Sequence, residues 1–261
     1  MIGYGSVMPA AAWTPPYTWE ERLKYALIPP RLYMWRLLRK HARSGEAELK
    51  LLPNLVARDK IAVDIGANKG VYAHTLAGLC KHVHAFEPNP KIFRILTRVL
   101  PANVTAHHVA LSDCNGIAEL VIPAHTAGGY SNQGASLDPR KKLAAFGYGT
   151  VAVPARTLDS YDLRNVGFIK IDVEGFEDAV MQGAMATIRR ERPLVLIEIE
   201  ERHIERPIET ALADLAALGF EVSFVRDGRI TSISEMDPDA DHRHRYGRPG
   251  YIFNFILRWM Q

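Results

Sequence analysis

Ile61-Ala-Val-Asp-Ile-Gly-Ala-Asn-Lys-Gly70, answered by Val83-His-Ala-Phe-Glu-Pro88, decides how this chain folds. An apolar run with β-branched residues reads as a buried parallel strand, and Gly66 and Gly70 then bracket a turn into the helical pattern from Val71 to Leu79. The second apolar run ends in Glu87, 21 residues beyond Gly66, where the second strand of a βαβ unit delivers a carboxylate to a ribose diol. Pro88 stops that strand, and Asn89 is placed to cap a helix starting at Pro90. A nucleoside-type ligand is the first expectation.

The loop composition narrows the nucleoside. A pyrophosphate needs bare backbone at the helix start, hence a third glycine in G-x-G-x-x-G. Gly66-Ala67-Asn68-Lys69-Gly70 carries side chains instead, which suits S-adenosylmethionine, a ligand with ribose and adenine but no phosphate. Asp64 supplies an acidic residue ahead of the loop. The plainer reading of both glycines is that they only permit a tight strand-to-helix turn.

Four co-linear motifs resemble the FkbM-type methyltransferases: Val63 to Gly70, Phe86-Glu-Pro-Asn-Pro90, Ala110-Leu-Ser-Asp113 and Ile169-Lys-Ile-Asp-Val-Glu-Gly-Phe-Glu177. The resemblance runs from about Asp59 to His203. It implies a Rossmann-like class I methyltransferase fold: an α/β domain with a mostly parallel seven-stranded sheet and helices on both faces. It also implies S-adenosylmethionine as methyl donor, and a hydroxyl on a sugar, glycolipid or related natural product as acceptor. Asp64, Gly66, Asn68, Gly70 and Glu87 are then expected to hold the donor, with Ser112 and Asp113 beside the adenine. As plain structure, Asp113 is a turn residue ahead of Asn115-Gly116.

A chain of 261 residues with 48% hydrophobic content can bury one large α/β core. The expected division is an N-terminal arm and helical extension over 1–50 and a catalytic domain over 51–261. Thirty-two basic and 29 acidic residues leave a net charge of +3, without the clustered excess of a nucleic-acid binder. Cys80 and Cys114 lack metal-ligand spacing and read as reduced packing thiols of a cytoplasmic protein. Neither a membrane-spanning run nor a signal peptide is evident.

Thr18 and Glu21 form the pattern of a capping box, the Pro29-Pro30 pair ends that helix, and Arg31 to Arg43 reads as a second one, basic and apolar at once. Two readings of residues 18–43 stand side by side: an apolar stripe packed on the domain, including as a lid, or peripheral contact with an anionic membrane or lipid-linked substrate.

The catalytic expectation rests on two strand ends. Lys170, Asp172 and Glu174 alternate at the carboxyl end of the strand read over Val166 to Ile171 and would share one side if the strand ran straight. Asp172 or Glu174 could equally serve the start of the following helix. Leu194 to Ile199 leads to Glu198 and then His203, an imidazole suited to taking a hydroxyl proton. Asp172, Glu198 and His203 together could hold a divalent metal that makes a sugar hydroxyl more acidic. The polar stretch from Pro123 to Thr150 is taken as acceptor-binding, with Ser131, Asn132 and Ser136 as contacts beside Glu198. His242 and His244 read as loop residues that could touch substrate. A nicotinamide-dependent sugar oxidoreductase would use the same βαβ unit, and a non-catalytic ligand-binding protein would keep Asp64 and Glu87 without the Lys170 cluster.

Overall fold

The structure, a computed structural model, describes residues 13–44, 47–124, 129–131, 134–144 and 147–260. Three helices open it: α1 (Trp19–Leu27), α2 (Pro30–Ser44) and α3 (Glu48–Leu55). The capping box is present, with Thr18 Oγ1 accepting from Glu21 N and the Glu21 carboxylate accepting from Thr18 N. Because α3 runs across residue 50, the expected boundary between extension and domain falls inside a helix.

The chain then lays down β1 (Ile61–Ile65), α4 (Val71–Ala77), β2 (His82–Phe86), α5 (Pro90–Leu96) and β3 (Val104–His107), the expected right-handed βαβ start. Asn89 caps α5, its Oδ1 accepting from Lys91 N and Ile92 N. Next come β4 (Ala110–Leu111), β5 (Gly116–Pro123), α6 (Lys141–Ala144) and β6 (Tyr148–Arg156). These three strands form a separate sheet in the order β4-β6-β5. The strand that follows Asn115-Gly116 thus belongs to a small second sheet and pairs antiparallel with β6.

The main sheet resumes with β7 (Val166–Ile171), α7 (Glu177–Glu191), β8 (Leu194–Glu198), α8 (Glu201–Ile204), α9 (Ile208–Ala217), β9 (Phe220–Arg226), β10 (Arg229–Ser232) and β11 (Asn254–Trp259). Its order is β10-β9-β11-β8-β7-β1-β2-β3. The strands from β3 through β8 are parallel, and β11 inserts antiparallel between β8 and β9. Eight strands replace the expected seven, because the Asp227-Gly228 turn adds β10 as an edge hairpin.

Alternation along the strands builds two cores. Val63, Ile169, Val195 and Phe255 face α7 and α9, while Ala62, Phe168, Leu196 and Ile256 face α3 and α4. Each large apolar side chain buried this way contributes about 1.5–3 kcal/mol. Connections leave β1 in opposite directions toward β2 and β7, so the crevice of a doubly wound sheet opens at the carboxyl ends of these strands.

Candidate active site

Three loops meet above that crevice. Asp172 N donates to Ile65 O at 3.0 Å, and Gly66 N and Ala67 N both donate to Phe86 O, so the ends of β1, β2 and β7 are tied together. Gly66 has φ 79°, and a Cβ there would lie 1.7 Å from the Asp172 carbonyl oxygen. Only glycine fits at that crossing. Gly70 also has positive φ, but a Cβ there would meet Leu96 and Leu100 and no cavity; it starts α4 and does not face ligand.

Glu87 is buried, with Oε2 accepting from Asn68 N and Oε1 from Asn89 N, each at 2.8 Å. Burial pushes its carboxyl up to about 7; the two N–H donors oppose this, and Asp172 and Asp64 add to it. Glu87 borders a cleft of about 290 Å³ together with Gly66, Asn68, Pro88, Ile92 and Leu111. Asn89 lines the same cleft, and its Nδ2 is buried without a hydrogen-bond partner among the described residues. A donor left in that state implies a ligand acceptor beside it. Read from sequence as a helix cap alone, Asn89 serves both purposes: Oδ1 caps, Nδ2 faces the cleft.

A second cavity of about 250 Å³ lies across the glycine loop, lined by Asp64, Tyr72, Lys170 and, from α2, Leu37, Lys40 and His41. Gly66, Asn68 and Asp172 line both spaces. An elongated ligand with a carboxylate-facing diol at one end and a polar tail at the other fits this pair, as S-adenosylmethionine requires.

Ser112 and Asp113 are not where the resemblance implied. Ser112 is buried with its Oγ donating to Asp113 Oδ1, its carbonyl abuts Gly183, and neither residue lines the cleft. Ala110 and Leu111 do, offering an apolar shelf; the motif is right and the facing residues are two positions earlier.

The expected row of Lys170, Asp172 and Glu174 is also broken. β7 ends at Ile171, and Glu174 (φ 58°) and Gly175 (φ 100°) are both left-handed, so the chain turns before alternation can continue. Lys170 points to the opposite cavity, fully buried, with Nζ 3.1 Å from Asn254 Oδ1, 3.3 Å from Ile171 O and 5.3 Å from the Tyr72 ring. Its cross-strand neighbour is Asp64. Glu174 faces the cleft with Lys141 and His203 behind it, at 3.8 and 3.5 Å.

His203 itself is not a lining residue. Burial, with the Lys141 and Arg202 cations, pushes its imidazole down to about 4, so it is neutral at pH 7. Asp172 and Glu198 line the cleft, but His203 is turned to Glu174 and does not complete a metal triad with them. Among the described residues, no group of three His, Cys, Asp or Glu side chains is arranged to hold a metal ion.

Of the acceptor contacts read from the polar stretch, Ser136 is buried and lines the cleft, its Oγ donating to Val173 O at 3.4 Å. Ser131 N donates to Pro123 O at 2.7 Å and does not line it; Asn132 lies outside the described residues. At the far end stand Glu200, which follows Glu198 at the end of β8, and Arg202 and Phe253, which the sequence did not single out. Burial raises the Glu200 carboxyl, but two contacts from Arg202 and the Tyr251 hydroxyl at 2.8 Å hold it below the ordinary range. Phe253 joins this end to a third, larger cavity of about 880 Å³, bordered by Arg226, Arg245, Arg248, Tyr251 and Asn254. His242 is buried there as a strut, Nδ1 2.6 Å from Ile252 O and Nε2 accepting from Glu201 N. Cys114 is exposed and Cys80 half-buried, so only the latter packs. No described helix is long and apolar enough to cross a membrane.

Comparison with curated protein sequences gives no match. Among solved structures, the chain is similar to a methyltransferase FkbM from Methylobacillus flagellatus KT, at 15% identity and TM-score 0.49, over 87% of this chain and 53% of that one. This chain therefore spans about half the length of that protein. It is also similar to an rRNA methylase from Streptococcus thermophilus (14% identity, TM-score 0.44, 82% of this chain and 95% of that one). A TehB-like methyltransferase from Corynebacterium glutamicum is similar at 12% identity and TM-score 0.44, over 89% and 97% of the two chains. The family model described as the methyltransferase FkbM domain matches residues 64–236, from the glycine loop to the segment beyond β10 and well over half of the sequence, and the chain belongs to that family.

Proposed function

We propose that this protein transfers a methyl group from S-adenosylmethionine to a hydroxyl oxygen of a sugar, glycolipid or related natural product. The observation that carries the donor assignment is the pair at the end of β2: a buried Glu87 carboxylate facing a cleft and an Asn89 amide N–H there with no partner among the described residues. A ribose offers what that pair lacks, hydroxyls that donate to the carboxylate and accept from the amide. S-adenosylmethionine would supply a methyl already activated on a sulfonium. Glu87, Asn89 and the Asn68 backbone would hold its ribose, Ala110 and Leu111 its adenine, and Asp64, Tyr72 and Lys170 would border its amino-acid end.

What remains for the protein is to align the acceptor and take one proton. Among the described residues Asp172 is the one carboxylate that lines both cavities, which makes it the first choice for the proton. Glu198 stands on the acceptor side of the same cleft, and His203, its imidazole pushed down to about 4, sits against Glu174 as a neutral partner. Lys170 is removed from the acceptor by its burial under the other cavity. The acceptor would enter from the larger cavity past Phe253, where Arg248, Tyr251 and Asn254 suit a polar, hydroxylated molecule.

Calorimetric titration with S-adenosylhomocysteine and separately with NAD tests the donor. Binding of the former alone is expected. Binding of NAD alone overturns the assignment, and binding of neither leaves a fold without this activity.

A further inference from the structure

The N-terminal helices carry surface that the methyl-transfer reading does not use. On and beside α1, Tyr25 and the flanking Tyr17 and Ile28 turn inward to α5 and α2, and Glu21 reaches the buried Lys91 Nζ at 2.7 Å. The opposite side presents Trp19, Leu23 and Leu27, spaced by four and lying along one stripe, with exposures of 69%, 49% and 75%. No residue of α1 is buried.

α2 continues this surface. Tyr33 and Met34 are buried, whereas Leu32 and Trp35 are exposed, the latter by 51%, with Arg39 over the indole at 4.7 Å. Arg36, Arg39 and Arg43 follow at helical spacing on the outer face. From Trp19 to Ser44 the sequence holds seven basic residues against two acidic ones, more than the whole chain's excess of +3. Tryptophan and leucine beside arginine is the composition that settles at a lipid–water boundary, aromatic rings at headgroup depth and cations on anionic phosphate.

We infer that α1 and α2 seat this protein on an anionic membrane surface. Charge decides between this occupant and a second copy of the chain, because an isologous contact would press two strongly basic faces together. The inward side of α2, through Leu37, Lys40 and His41, walls the cavity next to the glycine loop, and Lys40 and His41 also border the larger one. One helix thus links the bilayer to the site, as an acceptor carried on a lipid requires.

Co-sedimentation of the full chain with vesicles tests this, using phosphatidylcholine alone or with phosphatidylglycerol admixed. Pelleting with the anionic vesicles is expected, with partitioning lower by on the order of tenfold at high salt. Trp19→Ser/Leu27→Ser and, separately, Arg36→Glu/Arg43→Glu are each expected to lose on the order of tenfold, with thermal midpoints unchanged because all four side chains are exposed. Failure to pellet, or equal pelleting of wild type and both variants, overturns the inference. So does a lipid-free dimer in sedimentation velocity that the same substitutions dissociate. Vesicle binding is read without methyl transfer, so failure here leaves the donor assignment standing.

Discussion

Glu87 should couple donor binding to pH. Its carboxyl lies at about 7 instead of an ordinary 4.5 because it is buried with only two backbone donors, and the difference corresponds to about 3 kcal/mol against the ionised form. The sign follows: between pH 4.5 and 7 the folded protein holds a proton that the unfolded chain has lost, so this group lowers stability as pH rises through that window. Ribose hydroxyls donate to a carboxylate, so the ionised form binds the donor and binding expels the proton. About a tenth of the sites are ionised at pH 6 and about nine-tenths at pH 8, which predicts a roughly tenfold gain in S-adenosylhomocysteine affinity across that range. Calorimetry at pH 7 in buffers of different ionisation enthalpy should show about half a proton released per binding event. Glu177 is the second buried carboxyl raised to about 7, held by Gly175 N and absent from the cleft wall. Glu177→Gln should therefore keep the proton release and Glu87→Gln abolish it. A dissociation constant flat from pH 6 to 8, or a slope that survives Glu87→Gln, would refute the reasoning.

Four further outcomes are expected. Gly66→Ala drives a methyl into the Asp172 carbonyl and should cost several kcal/mol, read as a fall in denaturant midpoint. Asp172→Asn should lower kcat by about 10²–10⁴ with donor affinity kept within a few-fold, and an equal loss in both would reassign Asp172 to binding. Ser112→Ala and Asp113→Ala should leave donor affinity unchanged, since neither side chain lines the cleft. Lys170→Met removes the hydrogen bond to Asn254 and the cation beside Asp64, and urea titration should show a loss of about 3–5 kcal/mol.

The βαβ start, the sheet class and a carboxylate at the end of β2 facing the cleft were legible because each leaves a local trace: apolar runs, two glycines and an acidic residue at fixed spacing. What failed depended on backbone direction beyond the last paired residue. Alternation predicts which way Lys170 points, but two consecutive left-handed residues at Glu174 and Gly175 redirect everything after Asp172. Glycine at 175 was a visible signal for that turn. The side chain of His203 was read as projecting over the sheet, whereas one turn of helix folds it back onto Glu174. Arg202 and Phe253 reach the cleft from the last third of the chain, with the Tyr251 hydroxyl on Glu200 beside them, and nothing periodic announces them. The second role of Asn89 was hidden because helix capping already accounted for the residue.

α2 is the feature whose consequence reaches furthest. Its Leu37, Lys40 and His41 close one side of the cavity that holds Asp64 and Lys170, so the segment before β1 is a wall of that cavity. A chain trimmed back to the family-matched region, starting near residue 64, would lose that wall along with β1's first three residues and open a buried lysine and carboxylate to water. Shortened versions starting there should then bind donor poorly even where the sheet survives, because the helix that shuts the door on this cavity lies wholly outside the matched region.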